Sequence, residues 1–252
     1  MIKGVSKFRE HFSDYKDNYV LIGGSACSIL MDEAGLPFRA TKDLDIVLCL
    51  EALNSEFVNA FWEFIKLGGY STIKKSSGKK CFYRFTEPTE SDFPYMIELL
   101  SDQDSSFEQK EPGSIIPMRL EEEVVSLSAI LLNKDYYQFI MSLKFEVDDI
   151  IIADERCIIP LKARAYLDLT SRKDNGEVVR GSDIKKHKND IYRMTQLITD
   201  IPIADIPEGI SKDIEVFVEK IEDDDVLLTQ LKIENLKMSE LKERLLLVYC
   251  TS

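Results

Sequence analysis

The sequence predicts an α+β fold in which a mixed β-sheet with flanking helices precedes a mostly helical C-terminal lobe. Over the first hundred residues, short apolar runs alternate with amphipathic helical patterns. A polar segment with two prolines then interrupts the pattern over residues 101–119, and most of the apolar residues after it recur at helical spacing. We therefore predict a sheet-bearing lobe over residues 1–105 and a mostly helical lobe over residues 120–252.

The elements of the first lobe follow from periodicity and from turn residues. Phe8, Phe12 and Tyr15 recur at spacings of four and three, which is typical of one face of a helix over residues 4–17. The apolar run Tyr19–Ile22 ends at two glycines and predicts a strand that leads directly into a helix. The other predicted elements are a strand over 41–50, a helix over 52–67, a hairpin over 70–75 and 80–86, and a strand over 94–100.

The second lobe is predicted to contain one strand-like pair among helices. Pro160 is placed at a helix start because proline lacks the N–H that a first helical turn leaves unpaired. Ser182 and Asp183 are both suited to cap the helix that follows them. The predicted elements are a helix around 127–142, strands around 144–152 and 156–159, a helix opened by Pro160, a polar loop over 170–182, a helix over about 183–198, and helices from about 211 to 250.

The composition excludes several classes of protein. With 32 Lys and Arg against 45 Asp and Glu, the net charge of −13 excludes a generally basic nucleic-acid-binding surface. Two histidines exclude a multi-histidine metal site, and five scattered cysteines without a C-x-x-C pair fit neither a zinc ribbon nor a disulfide framework.

The N-terminus lacks the apolar stretch of a signal peptide, and the longest apolar run, Leu245–Cys250, is far shorter than the roughly 20 residues that cross a membrane. We therefore expect a soluble, cytoplasmic protein without a membrane partner.

The first candidate site residues are Gly23, Gly24 and Ser25, which join the predicted strand to the helix after it. Glycines let the backbone approach a ligand closely, and the free N–H groups at a helix start favour an anion such as phosphate. Ser25 adds a hydroxyl at the same place. The alternative for these three residues alone is a tight turn with a helix cap that binds nothing.

Two acidic residues follow on the next predicted strand. Strand alternation places Asp43 and Asp45 on one face, with Leu44 and Ile46 on the other. Two carboxylates this close repel each other unless water or a cation neutralises them, and Mg²⁺ prefers carboxylate oxygens and substrate phosphates as ligands. A solvated strand end with two surface acids is the alternative.

Glu98 is a third acid that fits this picture. It is an isolated charge in the apolar stretch Met96–Leu100, where an acid is costly unless it is paired, exposed or metal-bound. If this strand neighbours the strand of Asp43 and Asp45, three carboxylates converge. Such a set suits two metal ions that activate an attacking oxygen and stabilise a pyrophosphate leaving group.

These motifs together resemble a known superfamily. The order Gly-Gly-Ser, then Asp-x-Asp on the next strand, then an apolar-Glu-apolar strand is similar to that of the nucleotidyltransferase superfamily, which includes DNA polymerase beta. Its AbiEii/AbiGii-type toxin nucleotidyltransferases, from bacterial toxin–antitoxin and phage-defence systems, are the branch that the sequence resembles most. The resemblance covers residues 19–100 by motif and extends to about residue 198 by general layout.

The resemblance implies a nucleotidyltransferase-like sheet and a role for each motif. It implies that Gly23, Gly24 and Ser25 hold a nucleoside triphosphate. It implies that Asp43 and Asp45 bind Mg²⁺ or Mn²⁺, and that Glu98 completes the metal site and helps to activate an acceptor hydroxyl. Glu98 departs from the pattern, because the third acid of the superfamily is more often Asp.

The second lobe offers cations for the same chemistry. The resemblance implies that Lys162 faces the phosphates, and the alternative is a surface lysine paired with an acid. Lys185 and Lys188 share a helix face with Tyr192 in the densest basic stretch, and this face predicts a docking surface for nucleotide phosphates or an RNA acceptor. A solvated helix face is the alternative. Asp190 is expected to orient Lys188 or to contact the nucleotide.

The function predicted from the whole pattern is a metal-dependent nucleotidyltransferase. It would move a nucleoside monophosphate from an NTP to a hydroxyl on RNA, protein or a small molecule, as a component of a toxin–antitoxin or phage-defence system with an antitoxin partner. The alternative is a non-catalytic nucleotide- or partner-binding module on the same fold. A purely protein-interaction role, with an antitoxin docked over the site, is a third interpretation.

Overall fold

The fold was determined as a computed structural model, which describes residues 3–74, 80–101, 115–117, 128–131 and 133–250. Contacts divide the chain into two units, one formed by residues 1–29 and 39–153 and the other by residues 30–38 and 154–252. The division after Ala153 differs from the predicted one, because strands that follow residue 120 belong to the first unit's sheet. The predicted connection over 101–119 lies mostly outside the described residues.

The first 153 residues contain most of the strands expected from the sequence, with helices between them. In chain order they form α1 (Val5–His11), a 3₁₀ helix (Ser13–Asn18), β1 (Tyr19–Ile22), α2 (Gly23–Glu33), β2 (Asp43–Leu48), a short 3₁₀ helix (Leu50–Ala52), α3 (Ser55–Leu67), β3 (Ser71–Lys74), β4 (Lys80–Thr86), β5 (Met96–Ser101), β6 (Ile115–Pro117), β7 (Ser128–Leu131), α4 (Lys134–Leu143), β8 (Lys144–Val147) and β9 (Ile150–Ala153). The predicted N-terminal helix is thus a shorter α-helix followed by a 3₁₀ segment, and the turn of the predicted 70–86 hairpin lies outside the described residues.

These strands form one mixed sheet. Its order across the described residues is β3-β4-β5-β2-β1-β9-β8, and β7 pairs with β5 and β6. The pairs β1–β2 and β4–β5 are antiparallel, whereas β2–β5 and β1–β9 are parallel. The predicted α+β class with a mixed sheet is therefore confirmed.

Aromatic side chains form the core between the N-terminal segment and α3. The ring of Phe12 lies 5.3 Å from that of Phe64 and 5.7 Å from that of Phe57, and the ring of Phe8 lies 5.0 Å from that of Tyr19. All five are fully buried. α3 begins where the Asn54 side chain accepts a hydrogen bond from the Phe57 amide, a cap that fixes this helix over the sheet.

The last hundred residues are helical. They form α5 (Glu155–Asp174), α6 (Gly181–Met194), α7 (Glu208–Lys220), α8 (Asp225–Gln230) and α9 (Met238–Cys250). α5 packs against α6 and α7, and α7 packs against α9. None of the helices in the described part of the chain combines the length and the apolar character needed to cross a membrane.

Pro160 lies inside α5, so the prediction that it opens a helix is wrong. The helix instead begins after Asp154, whose side chain accepts a hydrogen bond from the Arg156 amide. Proline cannot donate to the carbonyl four residues earlier, which is that of Arg156. The Tyr249 hydroxyl of α9 donates to this carbonyl at 3.0 Å, and so replaces the missing helical bond.

Three further predictions in the second half are wrong. Residues 128–131 form strand β7 rather than helix, since the helix begins only at Lys134, after the cap Asn133. Residues 156–159 are the first turn of α5 and not a strand. The predicted loop over 170–182 is shorter, because α5 continues to Asp174.

Candidate functional site

The carboxylates of Asp43 and Asp45 lie on the same face of β2. Both residues are half-buried, whereas Leu44 and Ile46, which alternate with them, are fully buried. Apolar packing on one face of the strand therefore fixes the direction of the two acids on the other. The alternation expected from the sequence is present.

Glu98 lies beside these acids on the neighbouring strand. β2 and β5 are parallel, with Asp45 directly opposite Glu98 and Asp43 opposite Met96. Directly paired residues point to the same face of a sheet, so Glu98 shares the face of Asp43 and Asp45. The three acids that the sequence singled out thus lie on one face of the sheet.

Gly23 and Asp45 approach each other closely where β1 passes into α2. Ile22, the last residue of β1, lies opposite Asp45, and Gly23 adopts a left-handed φ of 66°. A Cβ atom at Gly23 would lie 1.9 Å from Asp45 Oδ2, so no side chain fits there. Glycine is required at this position by both the backbone and the carboxylate. The glycine turn and the acidic strand, separate in the sequence, therefore form one site.

Two further side chains at this turn were not found from the sequence. A Cβ atom at Gly24 would lie 2.8 Å from Thr41 Oγ1 and 3.2 Å from Arg39 Nη2, so both polar groups border Gly24. The buried Ser25 hydroxyl donates to the Asp43 carbonyl and ties the start of α2 to β2. Direct contact between Ser25 and a phosphate stays a prediction. The segment 39–41 contains no recognisable motif, so sequence analysis did not single out Arg39 or Thr41.

Arg84 on β4 is the other residue that sequence analysis missed. It lies directly opposite Glu98 in the antiparallel β4–β5 pair, and its Nε atom donates to Glu98 Oε1 at 2.6 Å. A second guanidinium nitrogen, Nη2, donates to the same oxygen. Glu98 is therefore the acid in an ion pair with arginine, one of the conditions under which an acid is tolerated in an apolar strand.

Asp43 and Asp45 are the residues at this face that could hold a divalent cation. Among the residues that the structure describes, no three His, Cys, Asp or Glu side chains are grouped closely enough to hold a metal ion. Mg²⁺, however, is commonly bound by one or two carboxylates together with substrate phosphates. Asp43 and Asp45 supply such a pair of hard oxygen ligands beside a glycine turn suited to phosphate.

Lys162 and Asp190 form a buried ion pair in the second unit. Lys162 Nζ lies 2.8 Å from Asp190 Oδ2, and their side chains are only 6% and 0% exposed. Arg193 is a more distant partner, with Nη1 3.9 Å from Asp190 Oδ1. The pair joins α5 to α6, so its evident role is in packing; contact of either residue with a nucleotide stays a prediction.

The basic face of α6 is partly exposed. Lys185 is exposed, Lys188 is half-buried, and Lys188 Nζ lies 5.9 Å from the centroid of the Tyr192 ring. Burial raises the pKa of the Tyr192 phenol, because this side chain is only 1% exposed and belongs to the core beneath Lys188. Lys188 and Tyr192 are in contact, but the burial of Tyr192 leaves only the two lysines accessible to a partner, and their use as a docking surface stays a prediction.

Comparisons with known proteins support the fold. The chain is similar to a solved structure described as an antigenic nucleotidyltransferase-like protein from Paracoccidioides brasiliensis, with a TM-score of 0.50 and 14% sequence identity over 94% of each chain. At this identity the likeness shows the fold alone. A scan against protein-family models finds no match, and a search of curated proteins finds none either.

Proposed function

We propose that this protein is a metal-dependent nucleotidyltransferase with its active site on the face of Asp43 and Asp45. The observation that carries the proposal is the close approach of Gly23 to the Asp45 carboxylate. It places a turn suited to phosphate against a pair of carboxylates suited to Mg²⁺ or Mn²⁺. These are the two components that transfer of a nucleoside monophosphate requires, because such transfer depends mainly on positioning and charge neutralisation.

Each residue has a distinct role in this proposal. Backbone N–H groups at the start of α2, next to Gly23 and Gly24, bind the triphosphate. Asp43 and Asp45 hold the divalent cation, which neutralises phosphate charge when bound. Thr41 and Arg39 border Gly24, and we assign to them the role of donating hydrogen bonds to phosphate oxygens.

The reaction joins an acceptor oxygen to the α-phosphorus of the NTP. As this O–P bond forms, the bond from the α-phosphorus to the bridging oxygen breaks, and pyrophosphate leaves with the electron pair. The proton of the acceptor hydroxyl passes to a carboxylate. Glu98, which lies directly opposite Asp45 on the neighbouring strand, is the carboxylate that we assign to this role.

We assign the acceptor class and the biological setting from the sequence. An RNA acceptor is supported by Lys185 and Lys188, which lie in the densest basic stretch of the sequence. A place near the AbiEii/AbiGii-type toxins, with an antitoxin as partner, is supported by the sequence resemblance alone. Transfer of labelled nucleotide to total RNA, compared with transfer to total protein, would identify the acceptor.

A non-catalytic binding module is the second candidate function. It is favoured by the Arg84–Glu98 pair, which engages the acid that would otherwise activate the acceptor. Under this alternative, nucleotide and Mg²⁺ would raise the melting temperature without release of pyrophosphate.

Release of pyrophosphate from an NTP tests the proposal directly. We expect wild-type turnover with Mg²⁺ or Mn²⁺ and a loss of about 100-fold or more in Asp43→Asn, because a metal ligand supplies several kcal/mol of transition-state stabilisation. Asp92→Asn is the matched control, since Asp92 is an exposed aspartate in a surface pair with Lys7. An Asp43→Asn variant with wild-type turnover would exclude the proposed metal site.

A further inference from the structure

A groove of about 610 Å³ lies in the first unit, at the ends of two helices. α1 ends at His11 and α3 ends at Leu67, and both residues line the groove. Its third wall belongs to the segment before β5 and includes Glu90 and Phe93. The volume is within the range of pockets that bind organic ligands. The proposed transfer reaction uses none of these residues.

Acidic side chains form the rim of this groove. Glu10, Asp14 and Glu90 line it and are exposed, and among the described residues none of the three has an ion-pair partner. A further lining acid, Asp92, is paired with Lys7 at 3.4 Å. The C-terminal ends of α1 and α3 add the negative ends of two helix dipoles. The rim therefore attracts cations and repels phosphate groups.

The floor of the groove is apolar. Phe64 and Phe93 are buried, with ring centroids 4.9 Å apart, whereas Leu67 is 55% exposed. Exposed apolar surface that is rimmed by polar residues is typical of an interaction site. A partner that covers Leu67 would bury apolar surface in addition to pairing with the acids on the rim.

Contacts outside the groove hold its walls in place. His11 Nε2 donates to the Ala60 carbonyl oxygen at 2.8 Å, which joins the end of α1 to α3. The Thr89 amide donates to the Gly68 carbonyl at 3.0 Å, which joins the third wall to the end of α3. The groove is thus formed in the free protein, and a partner does not have to bear the cost of ordering it.

We propose that this groove binds a basic segment of a partner protein, with lysines or arginines on the acidic rim and an apolar side chain against Leu67. The proposal is independent of the proposed nucleotidyl transfer. In the described part of the chain, no three metal-ligating side chains lie close enough to hold one metal ion. The spaced acids on the rim therefore suit several separated cations. A basic peptide supplies such cations together with an apolar side chain, whereas a polyamine lacks the apolar side chain.

Fluorescence anisotropy with a labelled peptide, Lys-Arg-Lys-Leu-Phe-Lys-Arg-Lys, tests the charged rim at about 0.15 M salt. We expect the wild-type chain to bind the peptide and Asp14→Lys/Glu90→Lys to weaken binding about tenfold, because each reversal replaces an attraction by a repulsion. Glu219→Lys/Glu243→Lys is the matched control. It changes the net charge equally at two exposed acids that do not line the groove, so the Kd should change by about twofold or less.

Leu67→Ser tests the apolar contact. We expect the Kd to rise about fivefold, because the peptide then buries less apolar surface. Val226→Ser, at a residue that is 68% exposed and does not line the groove, should leave the Kd unchanged. A peptide with serine in place of its leucine and phenylalanine should bind the wild type more weakly, and Leu67→Ser should weaken it little further. Circular dichroism and melting temperature check that each variant is folded.

Three outcomes would overturn the proposal. One is the absence of peptide binding by the wild type. The second is equal weakening by the two double reversals, since the attraction would then come from the net charge of −13 and not from the groove. The third is displacement of the peptide by spermine together with unchanged binding in Leu67→Ser, which would identify a polyamine site in place of a peptide site.

Discussion

Two ion pairs in this protein use the same chemistry in opposite settings. In the second unit, Lys162 and Asp190 pair out of contact with water. In the first unit, Arg84 and Glu98 pair on a partly exposed sheet face, next to Asp43 and Asp45. The helical pair is buried, whereas the pair on the sheet face lies next to two further acids.

The comparison distinguishes charged groups that stabilise the fold from charged groups that reduce its stability. A buried charge must be matched, because an unpaired one loses its hydration without compensation. Neighbouring carboxylates on a partly exposed face repel each other, and a local arrangement that opposes folding is typical of functional sites. Removing a charged group should therefore lower the stability at the buried helical pair and raise it at the acidic sheet face.

The largest effect is expected for Lys162→Met, which would leave Asp190 buried without its nearest partner. The free energy of unfolding should fall by about 3–5 kcal/mol, measured by urea denaturation. Lys212→Met, which breaks an exposed pair with Glu215, should change it by about 0.5 kcal/mol or less. The double variant Lys162→Met/Asp190→Leu should recover most of the loss. If Lys162→Met lowered the free energy of unfolding only slightly, the buried pair would not differ from an exposed one, and the comparison between the two regions would fail.

Gly23→Ala should have the next largest effect on stability, and it tests the close approach of Gly23 to Asp45. Gly23 and Gly35 both have a φ of 66°, but a Cβ atom would meet Asp45 Oδ2 at Gly23 and nothing within 4 Å at Gly35. We expect a loss of about 1 kcal/mol in Gly35→Ala from backbone strain alone. Gly23→Ala should lose about 3 kcal/mol, because Asp45 must also move. Equal melting temperatures for the two variants would argue against the close approach.

The smallest effect, of opposite sign, is expected for Asp43→Asn. Removing one of the neighbouring like charges should raise the free energy of unfolding by about 0.5–1 kcal/mol in the absence of divalent cations, as at other sites where function is favoured over stability. Mg²⁺ should stabilise the wild type more than the variant. Thermal melts with and without Mg²⁺ measure both effects. A less stable variant without metal would mean that Asp43 has a structural role.

Local sequence signals predicted the strands that carry the site. β1 and β2 follow from an apolar run and from strict alternation, which depend only on neighbouring residues. The glycine turn and Asp43 and Asp45 were found for the same reason. The prediction that three acids share one face also agrees with the structure, because β2 and β5 are adjacent in the sheet.

Pairings between distant segments could not be predicted. Arg84 became recognisable only once the β4–β5 register placed it opposite Glu98. Pro160 was misassigned because its missing helical donor is replaced by Tyr249, a residue far along the chain. Lys162 was assigned to phosphate binding from the family resemblance, and its sequence neighbours do not reveal that Asp190 of another helix lies beside it.

The position of β1 within the sheet affects how the chain folds during translation. β1 pairs with β2 early in the sequence, but its other edge pairs with β9, where Leu21 lies opposite Ile152. At about 5–20 residues per second, a ribosome needs on the order of 10 s to proceed from β1 to β9. Throughout that interval a fully apolar strand has one open edge, which is the kind of surface that chaperones bind and that drives aggregation. The yield of soluble protein should therefore depend on translation rate and on chaperone supply, even for variants whose final stability is unchanged.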